Sequence, residues 1–181
     1  MTHTATPITT TAVPSTFTTP SVKQQYLDML RAEYPITLKV LRALPRDKGE
    51  FRPHPKSASA RELAFTLVGD QGMVAAAVKG ELKMGEWPKM PDASYDGLVQ
   101  MFEKSCRDLI SLLESAPDSR LFETTEFMTA PKQTSQIPIS QLAWMALCDQ
   151  IHHRGQLSVY VRMAGGLVPS IYGPSADEPW T

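Results

Sequence analysis

Apolar residues return every three or four positions in four stretches of the chain, the period that places them along one side of an α-helix. In residues 21–44 the series is Val22, Tyr26, Met29, Leu30, Leu38, Leu41 and Leu44, behind a serine, Ser21, suited to cap the helix N-terminus. Pro35 is expected to kink this helix and Pro45 to end it. The second stretch opens on Ser59-Ala-Arg-Glu62, a spacing in which the serine oxygen and the glutamate each satisfy an orphan backbone donor. Leu63, Thr66, Leu67, Asp70, Met73, Val74 and Ala77 then share a side that is apolar except at Thr66 and Asp70. Gly80, Gly85 and Pro88 close that segment and open a loop with Trp87 in its middle. A third helix is predicted over 94–115, with Leu98, Met101, Phe102, Leu109, Leu112 and Leu113 as its stripe, and a fourth over 139–164, ending at Gly165-Gly166.

The prolines draw the same boundaries from the opposite direction. A proline inside a helix removes a donor and clashes with the preceding turn, at about 3 kcal/mol. Of the 15 in the chain, none falls in 56–87, 92–116 or 139–168. The polar, proline-punctuated link 116–138 has the length of a crossover, and 121–127 within it has the look of a short extended strand. These patterns predict an all-α fold, a four-helix bundle with a long crossover before the last helix. Residues 1–20 differ in kind: nine are threonine and none is Lys, Arg, Asp or Glu. They read as a flexible arm preceding a single domain over 21–181.

Composition narrows the class of function. With 181 residues, 42% of them hydrophobic, the chain can build one core. Its 18 Lys and Arg against 19 Asp and Glu leave a net charge of -1, which argues against a nucleic-acid partner. The longest apolar run, residues 73–78, is far short of the roughly 20 residues of a membrane span. Cys106 and Cys148 show no CxxC spacing and read as two buried reduced thiols, and the N-terminus lacks a secretory pattern, so a cytoplasmic protein is expected.

Candidate chemistry gathers on the fourth helix. On a wheel at 100° per residue with Leu142 as zero, Met145, Ala146, Asp149, His153, Gln156 and Tyr160 lie within about 60° of that direction. Polar groups on a buried stripe must find partners. Asp149 and His153 stand four apart, so they suit either two ligands of one metal or a hydrogen-bonded pair that ties the core. His152 is expected to project about 100° away from that site. Arg154 is off the stripe and suits a salt bridge or a carbonyl contact at a neighbouring helix. His3 and His54, in the arm and in a proline-flanked loop, are expected to face solvent.

The run His152-His-Arg-Gly-Gln-Leu-Ser-Val-Tyr-Val-Arg162 and the following Gly165-Gly-Leu-Val-Pro-Ser-Ile-Tyr-Gly-Pro-Ser-Ala-Asp-Glu178 resemble the C-terminal signature of the DinB family, related to the YfiT-like metalloenzymes. Phe51-Arg-Pro-His-Pro-Lys-Ser and Ser59-Ala-Arg-Glu-Leu-Ala-Phe resemble that family's approach to its second helix. The likeness runs over residues 21–178. It implies a four-helix bundle with a long crossover, a homodimer, and a divalent metal held by three histidines, one on the second helix and two on the last. Carried over by position, these fall on Thr66, Asp149 and His153, so one histidine of three is kept. Asp70, one turn beyond Thr66, is a substitute ligand. The resemblance therefore implies a degenerate metal site in a bundle that binds a small molecule and holds metal weakly or not at all. The alternative is a divalent-metal-dependent hydrolase or thiol-dependent transferase using Zn, Ni or Mn on Asp149 and His153.

Overall fold

Each of the four helices starts and stops where its local chemistry directs. In the computed structural model, which describes residues 19–180, α1 spans Val22–Ala43 and Ser21 Oγ accepts the Gln24 N–H at its start. Pro35 lies on the exposed side of α1, and the helix continues through it to a C-cap at Leu44. The capping box forms at α2, Ala60–Lys79, with both the Ser59 and Glu62 side chains engaged. Gly80 ends that helix at φ 77, a left-handed conformation that costs a side-chain-bearing residue about 1–2 kcal/mol. Ser94 caps α3, Tyr95–Ser115, and α4 runs over Ile139–Met163 to a left-handed Gly165.

The link before α4 is more ordered than its sequence suggests. A 3-10 turn at Asp118–Phe122 leads into β1, Thr124–Ala130, which pairs antiparallel with β2, Gln133–Pro138. The all-α expectation is thus corrected: four helices are joined by one two-stranded hairpin. Its first strand begins three residues later than the segment expected from 121. The second strand is nearly all polar, exposed except at Ile137, so it carries no alternation to betray it. Ile137 is buried and Phe127 packs on the same cluster, which fixes the hairpin against the helices.

Helix α1 packs on α3 and α4, and α2 packs on the same two, so both the α1–α2 and the α3–α4 links cross the diagonal of the helical group. The core is divided along the helices. One cluster collects Leu41, Leu63, Leu67, Leu98, Phe102 and Leu157; the other collects Leu27, Leu30, Val74, Leu109, Leu113 and Leu142. Burying each such side chain contributes about 1.5–3 kcal/mol. On α1, α2 and α4 the residues lying between the two clusters are polar: Glu33 and Thr37, Asp70 and Gln71, Gln150 and Arg154, all buried. A polar layer therefore crosses the middle of an otherwise apolar interior.

Among the described residues no helix is long and apolar enough to cross a membrane. Except for Thr19 and Pro20, the threonine-rich arm and its His3 lie outside the described residues. Cys106 is buried, which pushes its thiol well above the usual range, whereas Cys148 is exposed, correcting the expectation of two buried thiols.

Candidate functional site

The buried face of α4 overlaps the face that the wheel centred on Leu142 selects, through Leu142, Ala146 and Tyr160, but is wider and rotated from it. Ala143, Leu147, Gln150, Arg154, Leu157 and Val161 form its inner stripe, about 90° further round. Asp149, His153 and Gln156 consequently sit on its flank, at the border between core and solvent.

That shift decides which polar groups are locked in the interior. Arg154 donates from Nη1 to Glu33 Oε2 at 2.5 Å, with side chains only 2% and 5% exposed. Its Nη2 donates to the Tyr172 hydroxyl at 2.5 Å, and that hydroxyl donates to Glu33 at 2.9 Å. Gln150 Nε2 donates to Thr37 Oγ1 at 3.1 Å, and Gln71 Nε2 donates to Gln150 Oε1 at 2.7 Å. The expected salt bridge from Arg154 to a neighbouring helix is present. Glu33, Gln71, Gln150 and Tyr172 were not foreseen as its companions, although the 4-3-4-3 spacing of Ala143, Leu147, Gln150, Arg154 and Leu157 marks a second stripe.

The residues foreseen as metal ligands part company. Thr66 is half-buried and its hydroxyl donates to the Glu62 carbonyl at 3.1 Å, within its own helix. His153 Nε2 lies 3.3 Å from Asp149 Oδ2, but the carboxylate side chain is 46% exposed, so the expected buried pair is a border contact. His153 Nδ1 is 2.8 Å from Gln156 Oε1 and Gln156 Nε2 is 3.0 Å from His152 Nε2. In this arrangement the Gln156 amide oxygen accepts the His153 Nδ1–H, and its nitrogen donates to His152 Nε2. His152, expected away from the site, is joined to it through Gln156, its ring 5.1 Å from that of His153.

Asp70 is the exception among these groups. It is 8% exposed, and its Oδ2 is buried without a hydrogen-bond partner. Burial, with a smaller contribution from the Asp149 charge, pushes its carboxyl up to about 8, so it is largely protonated at neutral pH. Asp70 and Asp149 line one cavity of about 320 Å³ whose other walls are Met73, Trp87, Phe127 and Met145. Helices α2 and α4, the hairpin and the loop after α2 all contribute to it. The loop's Trp87, 52% exposed, thus acquires a place in the wall of this cavity. An open groove of about 640 Å³ on the outer side of α4 shares Met145 and Asp149 and adds Trp144, Cys148 and His152.

The donor set does not fit the three-histidine metal site that the family resemblance implies. A threonine whose hydroxyl donates to its own helix replaces one imidazole, and a neutral alcohol is a poor ligand for Zn²⁺ or Ni²⁺. Neither Thr66 nor His153 lines the cavity that joins Asp70 to Asp149. Among the described residues no three His, Cys, Asp or Glu side chains gather closely enough to hold a metal ion.

Comparison with known proteins gives a consistent picture. The model of the DinB family matches residues 15–180. A stretch of 43 residues is 46% identical to the uncharacterized protein YrdA of Bacillus subtilis, covering 24% of this chain and 26% of that relative, about a quarter of its length. Among solved structures, a DinB-like protein of Bacillus cereus aligns with TM-score 0.67 and 24% identity over 81% of this chain and 95% of its own. A DinB-like protein of Bacillus subtilis, YjoA, aligns with TM-score 0.62 and 19% identity over 78% and 92%. At these identities the two structures establish the shared fold alone.

Proposed function

The chain belongs to the DinB family, and from that premise we propose that it is a small-molecule-binding four-helix bundle with a degenerate metal site and, beside it, an apolar cavity lined by two carboxyl groups. The observation that carries this reading is Asp70: a buried carboxyl, one of its oxygens unpartnered, on a side chain that lines a cavity walled by two aromatic rings and two methionines. An unpaired buried polar atom costs about 1–3 kcal/mol, and a structure that keeps one beside an apolar hollow is suited to a ligand that supplies the partner. Asp149 and His153 then act as a polar rim in place of metal ligands.

The reading is tested by refolding or reconstituting the purified protein with excess Zn²⁺, Ni²⁺ or Mn²⁺ and measuring retained metal. Less than about a tenth of an equivalent is expected, because metal affinity requires several deprotonated ligands held together. Near-stoichiometric metal would instead favour the second reading, a divalent-metal-dependent hydrolase or thiol-dependent transferase. One observation speaks for that alternative: Asp149 and His153 are close together and open to solvent, where a substrate can reach them.

A further inference from the structure

The cavity between α2 and α4 has a chemical bias that goes beyond size and hydrophobicity. Its lining holds two carboxyl side chains, Asp70 and Asp149, and no basic one. The basic and amide groups of the interior are engaged elsewhere: Arg154 is committed to Glu33 and Tyr172, and Gln150 to Thr37 and Gln71. The Asp70 side chain lines the cavity, and its Oδ2 is buried without a partner.

Three classes of occupant can be compared on that basis. A carboxylate or phosphate ligand would set a negative group beside the Asp149 carboxylate, in a lining with no basic side chain to offset it. A wholly apolar ligand would seal Asp70 from water and leave its oxygen permanently unpaired. A protonated amine supplies a hydrogen-bond donor and a countercharge to Asp149, and its approach favours release of the Asp70 proton so that both carboxyls can receive it. Its attached carbons match the Met73 and Met145 walls, and a cation within about 6 Å of an aromatic face is attracted by the ring quadrupole, which Trp87 and Phe127 are placed to provide. At ~30 Å³ for each water-sized group, a cavity of about 320 Å³ holds roughly ten non-hydrogen atoms.

We propose that this cavity binds a small organic amine in its ammonium form, with Asp70 and Asp149 receiving the charged head and Trp87, Phe127, Met73 and Met145 enclosing the apolar body. The inference rests on the small-molecule reading given above and adds the class of ligand. It explains why an acid is retained under an apolar roof, where a leucine or methionine would fill the space at no electrostatic cost. It also gives Asp149 a role apart from His153, as the half-exposed carboxylate that an approaching cation meets first.

The test uses three probes that share a phenethyl body and differ in the charge of the head group, phenethylamine, phenethyl alcohol and hydrocinnamate, each titrated calorimetrically into the full-length protein at neutral pH. The amine is expected to bind at least about tenfold more tightly than the alcohol, with hydrocinnamate weakest. Asp70→Asn is expected to abolish the preference for amine over alcohol while alcohol binding persists. Asp149→Asn, at a half-exposed position that tolerates substitution, is expected to reduce the preference as well, and circular dichroism checks that both variants fold. Equal affinity for amine and alcohol, or an amine preference unchanged in both variants, overturns the amine assignment and leaves the cavity as a small-molecule site. Failure of all three probes to bind at millimolar concentration overturns the amine assignment and the binding-site reading together.

Discussion

Asp70 shows how one side chain can couple ligand chemistry to stability. In the unfolded chain its carboxyl titrates near 3.8, whereas in the fold burial raises it to about 8. Between those values the folded state holds a proton that the unfolded state has lost, so stability from this group is complete at low pH and declines as pH rises toward 8, by at most about 1.4 kcal/mol per pH unit. Asp70→Asn removes that dependence. Thermal melts of the variant between pH 5 and 8 are expected to fall less steeply than those of the parent, and parallel curves would refute the assignment. The polar layer makes a second prediction at this scale. Glu33→Ala leaves the Arg154 guanidinium buried without its carboxylate, and a loss of about 3–5 kcal/mol in urea unfolding is expected. Asp149→Ala breaks a contact that is largely exposed, so only about 0–1 kcal/mol is expected there.

Single elements account for what the sequence revealed and what it concealed. Helix starts were legible because capping is local: Ser21, Ser59 and Ser94 each accept a backbone N–H from the residue three positions on, as their spacing predicts. Replacing Ser59 by Ala is expected to cost about 1 kcal/mol, read as a shift of the urea midpoint with an unchanged slope. The orientation of α4 was not legible in the same way. Asp149, His153, Gln150 and Arg154 are all polar, and hydrophobicity alone does not say which pair faces inward; the long-range partners Glu33 and Gln71 decide it. The hairpin was half legible, since Phe127 gives the first strand an apolar anchor whereas residues 133–136 are uniformly exposed. The candidate site was the least legible, because Trp87 and Phe127 lie on a loop and a strand whose positions depend on the whole packing. At the end of α4, Gly166 is fixed by contact: a Cβ there would stand 2.6 Å from the Ala43 carbonyl oxygen and 2.9 Å from Val161. Gly166→Ala is therefore expected to destabilise by about 1–3 kcal/mol, measured by thermal melting.

Across the whole molecule, the segment after α4 is bound back onto α1 and α4. The Tyr172 ring lies 4.8 Å from the Arg154 guanidinium carbon, Lys39 pairs with Glu178 at 2.6 Å, and Arg162 pairs with Asp177 at 2.5 Å. Of these contacts, the Tyr172 hydroxyl on Glu33 and Arg154 is the one that reaches the buried layer. Tyr172→Phe removes it and is expected to cost about 1–3 kcal/mol and to speed proteolysis within residues 165–180. The two exposed ion pairs contribute far less.

The Glu33–Arg154 pair also bears on how the chain reaches this structure. Its members are 121 residues apart, on the first helix and the last. Neither charge leaves water cheaply before the other arrives, so a partly folded state of α1, α2 and α3 alone must keep the Glu33 side of α1 hydrated. That requirement opposes a stable three-helix intermediate and makes docking of α4 the step on which burial of the central layer waits. The same pair that gives little net stability to the finished protein thus favours folding in a single cooperative transition, with a loop closure of high contact order at its centre.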